Sequence, residues 1–131
     1  MAFQCVVVTP EEQALDESVA QVVLPVWDGE IGILTGRAPL LAKIGLGVLR
    51  VDLASGGSRK FMIDGGIAQM KGNRLTILTN EAIAADKVNL ESARAQYAEA
   101  EARIPTDPKT REARTHQMRR ARVQEELAGS R

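Results

Sequence analysis

Apolar and polar positions follow two different patterns along the chain, and the change falls near residue 80. Before that point, short runs rich in Val, Ile and Leu alternate with turn clusters, and ten of the 11 glycines lie before residue 73. Short apolar runs separated by glycine-rich turns are typical of an all-β sandwich or barrel. We therefore expect an antiparallel β-sandwich in the first part of the chain.

The apolar runs predict six strands, which cover Phe3 to Thr9, Val19 to Leu24, Val48 to Leu53, Lys60 to Ile63, Ile67 to Met70 and Leu75 to Leu78. Turn clusters at residues 54–58 and 71–74 connect the last four strands into two hairpins. Two further glycine runs, at residues 29–32 and 45–47, lack the features of phosphate loops and are interpreted as turns. The regular spacing of the strands predicts a meander.

The chain after residue 80 favours helix, because residues 81 to 128 contain no glycine and alanine becomes the commonest residue. An apolar stripe with steps of three and four residues predicts a first helix and consists of Leu90, Ala93, Tyr97, Ala100 and Ile104. Asn89 is expected to cap this helix, and Pro105 is expected to end it.

A second helix is predicted to begin at Thr106-Asp107-Pro108, where a capping side chain precedes a proline, and to run to Ala128-Gly129. The link between the helices is short, so they should lie antiparallel. Apolar residues of the second helix are mostly small and follow no single stripe, so its docking is expected to be marginal. The prediction is a β-sandwich domain at residues 1–86 and a helical hairpin at residues 87–131.

Charge separates the two parts, although 17 basic residues balance 17 acidic ones overall. Residues 107–131 carry seven basic and four acidic residues, a net charge of +3, whereas residues 1–86 carry seven and ten, a net charge of −3. A neutral total gives no field that attracts nucleic acid, and no apolar run reaches the length of a membrane span. We expect no nucleic-acid partner, and membrane association only through other proteins.

Candidate chemistry is sparse, because the chain has one histidine, His116, and one cysteine, Cys5, far apart in sequence. Catalysis needs a nucleophile with a base, paired carboxylates in a pocket, or metal ligands. His116 is expected to be a solvated surface residue and Cys5 a small core residue. A lone cysteine and the lack of a signal-peptide pattern favour a reducing compartment. We predict no enzyme, no catalytic residue and no metal site.

The basic run Arg119-Arg120-Ala121-Arg122 leaves two interpretations open. It lacks the bulky apolar face of a membrane helix and the aromatic residues of a single-strand binder. It is therefore either a solvated face or a contact for an acidic protein partner.

The segment VLPVWDGEIGILTGRAPLL, at residues 23–41, resembles the hallmark stretch of the epsilon subunit of F-type ATP synthases of bacterial or plastid type. The resemblance extends to VVVTPE at residues 6–11, to Gly45-x-Gly47-Val48-Leu49-Arg50, to Gly65-Gly66-Ile67-Ala68 and to Leu75-Thr76-Ile77-Leu78. It covers essentially the whole predicted β-domain, and the family architecture is the same sandwich followed by a helical hairpin.

The resemblance implies a rotor part of the central stalk that binds the gamma subunit, rests on the membrane c-ring and couples rotation to ATP synthesis. Catalysis would then belong to the alpha and beta subunits. Glu30 and Arg37 match family positions in the loops that face the c-ring, although many members have histidine in place of Arg37 and proline in place of Thr35. The implied location is peripheral, at the cytoplasmic face of the bacterial inner membrane.

Two regulatory features also follow from the resemblance. Leu90-Glu91-Ser92-Ala93-Arg94-Ala95 resembles the Ile/Leu-Asp-x-x-Arg-Ala motif that binds ATP in many bacterial members, with glutamate in place of aspartate. Leu90, Glu91, Arg94 and Ala95 would hold a regulatory ATP, and no cofactor would be required. The other interpretation makes Glu91 and Arg94 an ordinary surface ion pair.

In the family the extended helices inhibit ATP hydrolysis by reaching an acidic segment of the catalytic subunits. The residues expected to make that contact are Arg114, Arg119, Arg120 and Arg122. A free-standing β-sandwich binding module, whose helical tail drives oligomerisation, is the main alternative to a stalk subunit. A small enzyme is a more distant one.

Overall fold

The computed structural model describes residues 2–26, 28–36 and 38–129. Its strands are β1 (Phe3–Val8), β2 (Gln13–Val26), β3 (Gly29–Leu34), β4 (Leu40–Lys43), β5 (Leu46–Leu53), β6 (Ser58–Asp64), β7 (Ile67–Lys71), β8 (Arg74–Leu78) and β9 (Ala82–Ala84). A 3₁₀ turn at Ala85–Lys87 leads to the helices α1 (Leu90–Ala102) and α2 (Pro108–Gly129). The six predicted strands and both predicted helices are present.

The glycine runs that were interpreted as turns belong mainly to strands, so that prediction is wrong. Gly29 and Gly32 lie in β3, and Gly47 lies in β5. A Cβ atom at Gly47 would lie 2.6 Å from Cβ of Pro25, closer than side chains pack. The glycine therefore allows two strands to approach each other, which a reading of glycine as a turn signal misses.

The strands do not form the predicted meander. Their order in the sheet is β4-β7-β8-β1-β2-β5-β6-β9, and β3 pairs with β2. All pairs are antiparallel except β1 with β8. The long β2 explains the departure, because its first half pairs with β1 and its second half pairs with β3 and β5.

One apolar cluster joins both ends of this ladder. It draws buried side chains from seven strands, among them Phe3, Leu24, Leu49, Phe61 and Ile77. Because side chains of distant strands meet in one core, the ladder folds over into a sandwich, which confirms the predicted fold class. Cys5 lies fully buried in this core, as predicted, and burial raises the pKa of its thiol to about 12.

The helical hairpin lies on the outer face of β5 and β6. α2 contacts both strands and the 3₁₀ turn, and α1 packs on α2. Leu127 of α2 is buried against Met62 and Val88 in a second, smaller apolar cluster. α2 therefore faces the sandwich on one side and α1 on another, which explains why its apolar residues follow no single stripe.

Alanines form the contact between the two helices. Ala93 and Ala100 of α1 and Ala121 of α2 are fully buried. Ile104 was expected on the same stripe, but it lies beyond the end of α1 and is 87% exposed, so that assignment is wrong. The predicted stripe extends too far because α1 ends at Ala102, before the proline.

Side-chain caps begin both helices. The backbone N–H of Ser92 donates to Oδ1 of Asn89 at 3.0 Å, which confirms the predicted cap of α1. The N–H of Thr110 donates to Oδ1 of Asp107 at 2.8 Å at the start of α2. Hydrogen bonds from the backbone and side chain of Thr110 lower the pKa of the Asp107 carboxyl.

Candidate functional site

Four charged or titratable side chains meet where α2 passes the end of β6. Nε of Arg120 lies 3.3 Å from Oδ2 of Asp64, and Nη2 of Arg120 donates to Oε2 of Glu81. Nε2 of His116 lies 2.9 Å from the same oxygen of Asp64. We call these four residues the ionic latch.

The sandwich holds the two carboxylates of the latch in place. Asp64 ends β6, and Glu81 lies in the connection between β8 and β9. Oγ1 of Thr79 donates to the carbonyl of Gly65 at 2.7 Å, and Nδ2 of Asn80 donates to the carbonyl of Asp64 at 3.3 Å. These bonds join the two segments, so the carboxylates are presented on a fixed corner.

The helix supplies the two basic members of the latch. His116 and Arg120 are four residues apart, so they lie on the same face of α2, one turn from each other. The Arg120 side chain is 25% exposed and that of Asp64 is 20% exposed. Partial burial reduces solvent screening, so this pair is stronger than a fully exposed one.

Most of the arginines predicted to contact the catalytic subunits are engaged within the protein. Arg120 belongs to the latch, and Nη2 of Arg114 donates to the carbonyl of Glu101 at 3.0 Å. The Arg122 guanidinium lies 4.0 Å from the centre of the Tyr97 ring, and hydrogen bonding to Tyr97 raises its pKa further. Arg119 is exposed. With the hairpin docked, the structure therefore does not offer the four arginines together.

The proposed nucleotide motif occupies the first turns of α1. Glu91, Arg94 and Ala95 are exposed, and Leu90 is half-buried. A cavity of about 450 Å³ between the helices is lined by Tyr97 of α1 and by Arg114, Thr115, Met118, Arg119, Arg122 and Val123 of α2. The structure does not bring the motif residues and this cavity together, and ATP binding by them stays a prediction.

The alternative role of Glu91 and Arg94 as an ion pair finds no support. No salt bridge joins them in the part of the chain that the structure describes. Both side chains point outward from the first turns of α1, where solvent surrounds them.

The two predicted c-ring residues have different outcomes. Glu30 is exposed on β3 and lines a groove of about 480 Å³ together with Arg50, Lys60 and Glu126. Arg37 lies outside the described residues. Their contact with the c-ring stays a prediction.

An exposed apolar surface lies on β4, β7 and β8, away from β5 and β6, which are the strands that the helical hairpin contacts. Leu41 of β4, Ile67 of β7 and Leu78 of β8 are 71%, 48% and 52% exposed. Ile67 pairs directly with Leu78, and β4 flanks β7. We call these three residues the outer apolar face, and such a contiguous surface is typical of a protein-binding site.

The latch cannot be read from the sequence alone, and His116 shows why. Its side chain is half exposed, as expected, but Asp64 binds it and solvent does not simply surround it. The spacing of two basic residues at 116 and 120 was a usable signal for a shared helix face. Their carboxylate partners lie 52 and 39 residues away in sequence, and no local pattern reveals them.

Within residues 2–26, 28–36 and 38–129, no group of three or more His, Cys, Asp and Glu side chains could hold a metal ion. Neither helix of the described chain has the length and the apolar composition needed to cross a bilayer.

The fold defines a two-part protein, a β-sandwich with a helical hairpin docked on its outer face. The profile described as "ATP synthase, Delta/Epsilon chain, beta-sandwich domain" matches residues 2–85. A protein of Rhodopirellula baltica named "ATP synthase epsilon chain" is 40% identical and aligns over 95% of this chain and 96% of its own length. A second protein of that name, from Nostoc punctiforme, is 38% identical and aligns over 94% of this chain and 93% of its own length.

The chain therefore belongs to the ATP synthase delta/epsilon family, as an epsilon chain. It is a non-catalytic subunit of that complex. Two solved structures share the fold. One is the Euglena gracilis mitochondrial ATP synthase, OSCP/F1/c-ring, at 22% identity and a TM-score of 0.86 over 99% of this chain and 82% of that one. The other is the central stalk and c-ring of the Tetrahymena thermophila mitochondrial ATP synthase. It is 13% identical, with a TM-score of 0.68 over 95% of this chain and 95% of that one.

Proposed function

We propose that this chain is a rotor part of the central stalk of a proton-translocating ATP synthase and helps couple rotation to ATP synthesis. Its sandwich would bind the gamma subunit and rest on the c-ring, and its hairpin would inhibit ATP hydrolysis. Both similar structures include a c-ring, and the Tetrahymena thermophila one is a central stalk with its c-ring. We place the chain at the cytoplasmic face of the bacterial inner membrane.

The outer apolar face supports the contact with a stalk partner. Side chains as exposed as Leu41 and Leu78 leave apolar surface in water, and a protein partner that covers them gains hydrophobic free energy. The hairpin covers a different surface, at β5 and β6. The sandwich can therefore bind a partner while the hairpin is docked.

The brake on hydrolysis rests on one observation, which is that the docked hairpin uses its arginines internally. Arg120 cannot contact Asp64 and Glu81 and also reach an acidic segment of another subunit. Docking and inhibition are then mutually exclusive states of the same side chains. A difference of a few kcal/mol between such states lets a ligand or a proton gradient shift them.

Two variants of opposite effect test the brake in an ATP synthase complex reassembled with this chain. Replacing Arg114, Arg119, Arg120 and Arg122 with alanine removes the inhibitory contact and should raise hydrolysis several-fold at low salt. Asp64→Asn with Glu81→Gln frees the hairpin, keeps all four arginines and should lower hydrolysis.

The matched control is Lys109→Ala with Arg111→Ala, which removes exposed charges from the same helix. It should change hydrolysis little, because single exposed charges contribute under about 1 kcal/mol. Equal incorporation of every variant into the complex is checked first. If the first two variants shift hydrolysis in the same direction, or neither does, the brake is not the function of this hairpin.

A further inference from the structure

The ionic latch contains an uneven number of permanent charges. Asp64 and Glu81 contribute two carboxylates, and Arg120 contributes one guanidinium. These three groups leave one negative charge without a counterpart at neutral pH. His116 is the fourth member, and it is the only histidine of the chain.

We propose that His116 is the pH-sensitive member of the latch, so that its protonation holds α2 on the sandwich and its deprotonation loosens it. A protonated imidazole balances the excess charge of the cluster. Histidine is the side chain that ordinarily changes charge between about pH 5 and pH 8. A hydrogen bond between a charged donor and a carboxylate is roughly twice as strong as a neutral one.

The geometry makes Asp64 the direct partner of this charge. Nε2 of His116 lies 2.9 Å from Oδ2 of Asp64, and a ring nitrogen that carries a proton donates to that oxygen. The neutral ring can keep this hydrogen bond in one tautomer. The difference between the two protonation states is therefore the charge.

The other charged groups around His116 do not reverse the effect. From the sandwich, Asp64 faces the ring directly and Glu81 reaches it through Arg120. On α2 itself, Glu112 precedes His116 by one turn, while Arg119 and Arg120 follow it. These three move with the helix, so they surround His116 whether the hairpin is docked or free.

α1 adds little to the charges that surround His116. Arg103, which directly follows α1, is bound to Glu99 and to Gln117 of α2. Docking therefore changes the surroundings of His116 mainly by adding the two carboxylates of the sandwich. Both favour the protonated ring.

The sign of the pH dependence follows from this difference. The protonated ring gains a charged partner only in the docked state, so protonation favours docking and loss of the proton weakens it. Acid should fix the hairpin, and alkali should release it.

A second anchor limits how far the equilibrium moves. Leu127 packs against Met62 and Val88 at the other end of α2, and this apolar contact does not depend on pH. Loss of a partly exposed charge pair lowers the equilibrium constant for docking by about three- to tenfold, which corresponds to roughly 1 kcal/mol. We expect a graded shift of that size.

Hydrogen exchange of the full isolated chain tests the proposal at pH 6.0 and pH 8.0. Each rate is divided by the intrinsic rate at the same pH, so that the chemistry of exchange cancels. Protection of the α2 amides should fall about three- to tenfold at pH 8.0. Amides of β1 and β8 serve as the internal reference and should change little.

His116→Gln is the matched variant, because glutamine keeps a side-chain donor that does not titrate. Its α2 protection should be equal at the two pH values. Asp64→Asn should also remove the pH dependence and should lower protection at pH 6.0 towards the value of the wild-type chain at pH 8.0. A pH-independent wild-type chain, or a pH dependence that survives in His116→Gln, overturns the proposal.

The latch is a property of the isolated chain and does not rest on the proposed brake. A hairpin that responds to pH but leaves hydrolysis unchanged would refute the brake alone. A brake that works without any pH response of docking would refute the latch alone.

Discussion

The sandwich and the hairpin are stabilised by different kinds of contact. The sandwich has one continuous apolar core that draws on nearly all of its strands, with Phe3 and Phe61 almost fully buried. The hairpin relies on three buried alanines, one buried leucine and a set of ion pairs. Large buried side chains contribute far more than alanines or surface charges.

This difference separates a fixed part from a movable part within one chain. Regions with few buried apolar contacts open at a lower free energy than the core of the same protein. The hairpin should therefore separate from the sandwich at a lower free energy than the sandwich needs to unfold. Four predictions test this contrast, from the largest expected effect to the smallest.

Gly66→Ala should destabilise the sandwich most. Gly66 has a φ of +117°, and a Cβ atom there would lie 1.9 Å from the carbonyl oxygen of Leu78. We expect a loss of about 3 kcal/mol or more, or failure to fold. Gly72→Ala is the control, because its φ is +60° with no atom within 4 Å of the new Cβ, so it costs about 1 kcal/mol. Chemical denaturation measures both, and equal losses would contradict the steric argument.

Leu127→Ala should undock the hairpin and leave the sandwich folded. Truncation of a fully buried leucine costs about 2–5 kcal/mol, and here the cost falls on the contact between α2 and the sandwich. Hydrogen exchange should show lost protection in α1 and α2 and retained protection in β1 and β8. Ile104→Ala removes a similar volume from an exposed site and should change nothing. Simultaneous loss in both parts would show that they unfold as one unit.

Asn89→Ala should weaken α1 by about 1 kcal/mol, because it removes the side chain that caps the N–H of Ser92. Circular dichroism should show a small loss of helix, and the melting temperature of the sandwich should stay the same. Asn89→Ser keeps a capping oxygen and should restore the helix. If serine fails to restore it, the cap does not stabilise α1.

Truncation after Asp86 should leave the sandwich folded. The remaining residues keep the main core, although Met62 loses its cover and the melting temperature should fall by a few degrees. Cys5 provides the measurement: burial raises its pKa to about 12, so the folded fragment should resist alkylation at pH 8. Rapid alkylation without denaturant would show that the hairpin belongs to the core.

The pKa of Cys5 also sets a limit on stability in alkali. Its ordinary value is 9.0, so the unfolded chain releases the thiol proton at a lower pH than the folded chain does. The free energy of unfolding should therefore decrease as the pH rises above about 9. Cys5→Ala removes this decrease and serves as the control in a denaturation series between pH 8 and pH 10.

Local sequence patterns predicted much of the fold. Asn89 and the prolines near residue 105 located both helices, because caps and prolines act on neighbouring residues. β3 was missed because Gly29 and Gly32 suggested a turn, whereas pairing with β2 determines their structure. The sheet order and the latch were out of reach, since each depends on contacts between residues far apart in sequence.

The position of α2 between α1 and the sandwich determines how the hairpin can open. α1 packs on α2, so a hairpin that left the sandwich would carry both helices, and residues 88–89 would be the point about which they turn. Pro105 and Pro108 prevent the connection between the helices from continuing as one straight helix. An opened hairpin would then consist of two helices joined by a bend, and the 22-residue α2 would extend about 33 Å beyond that bend.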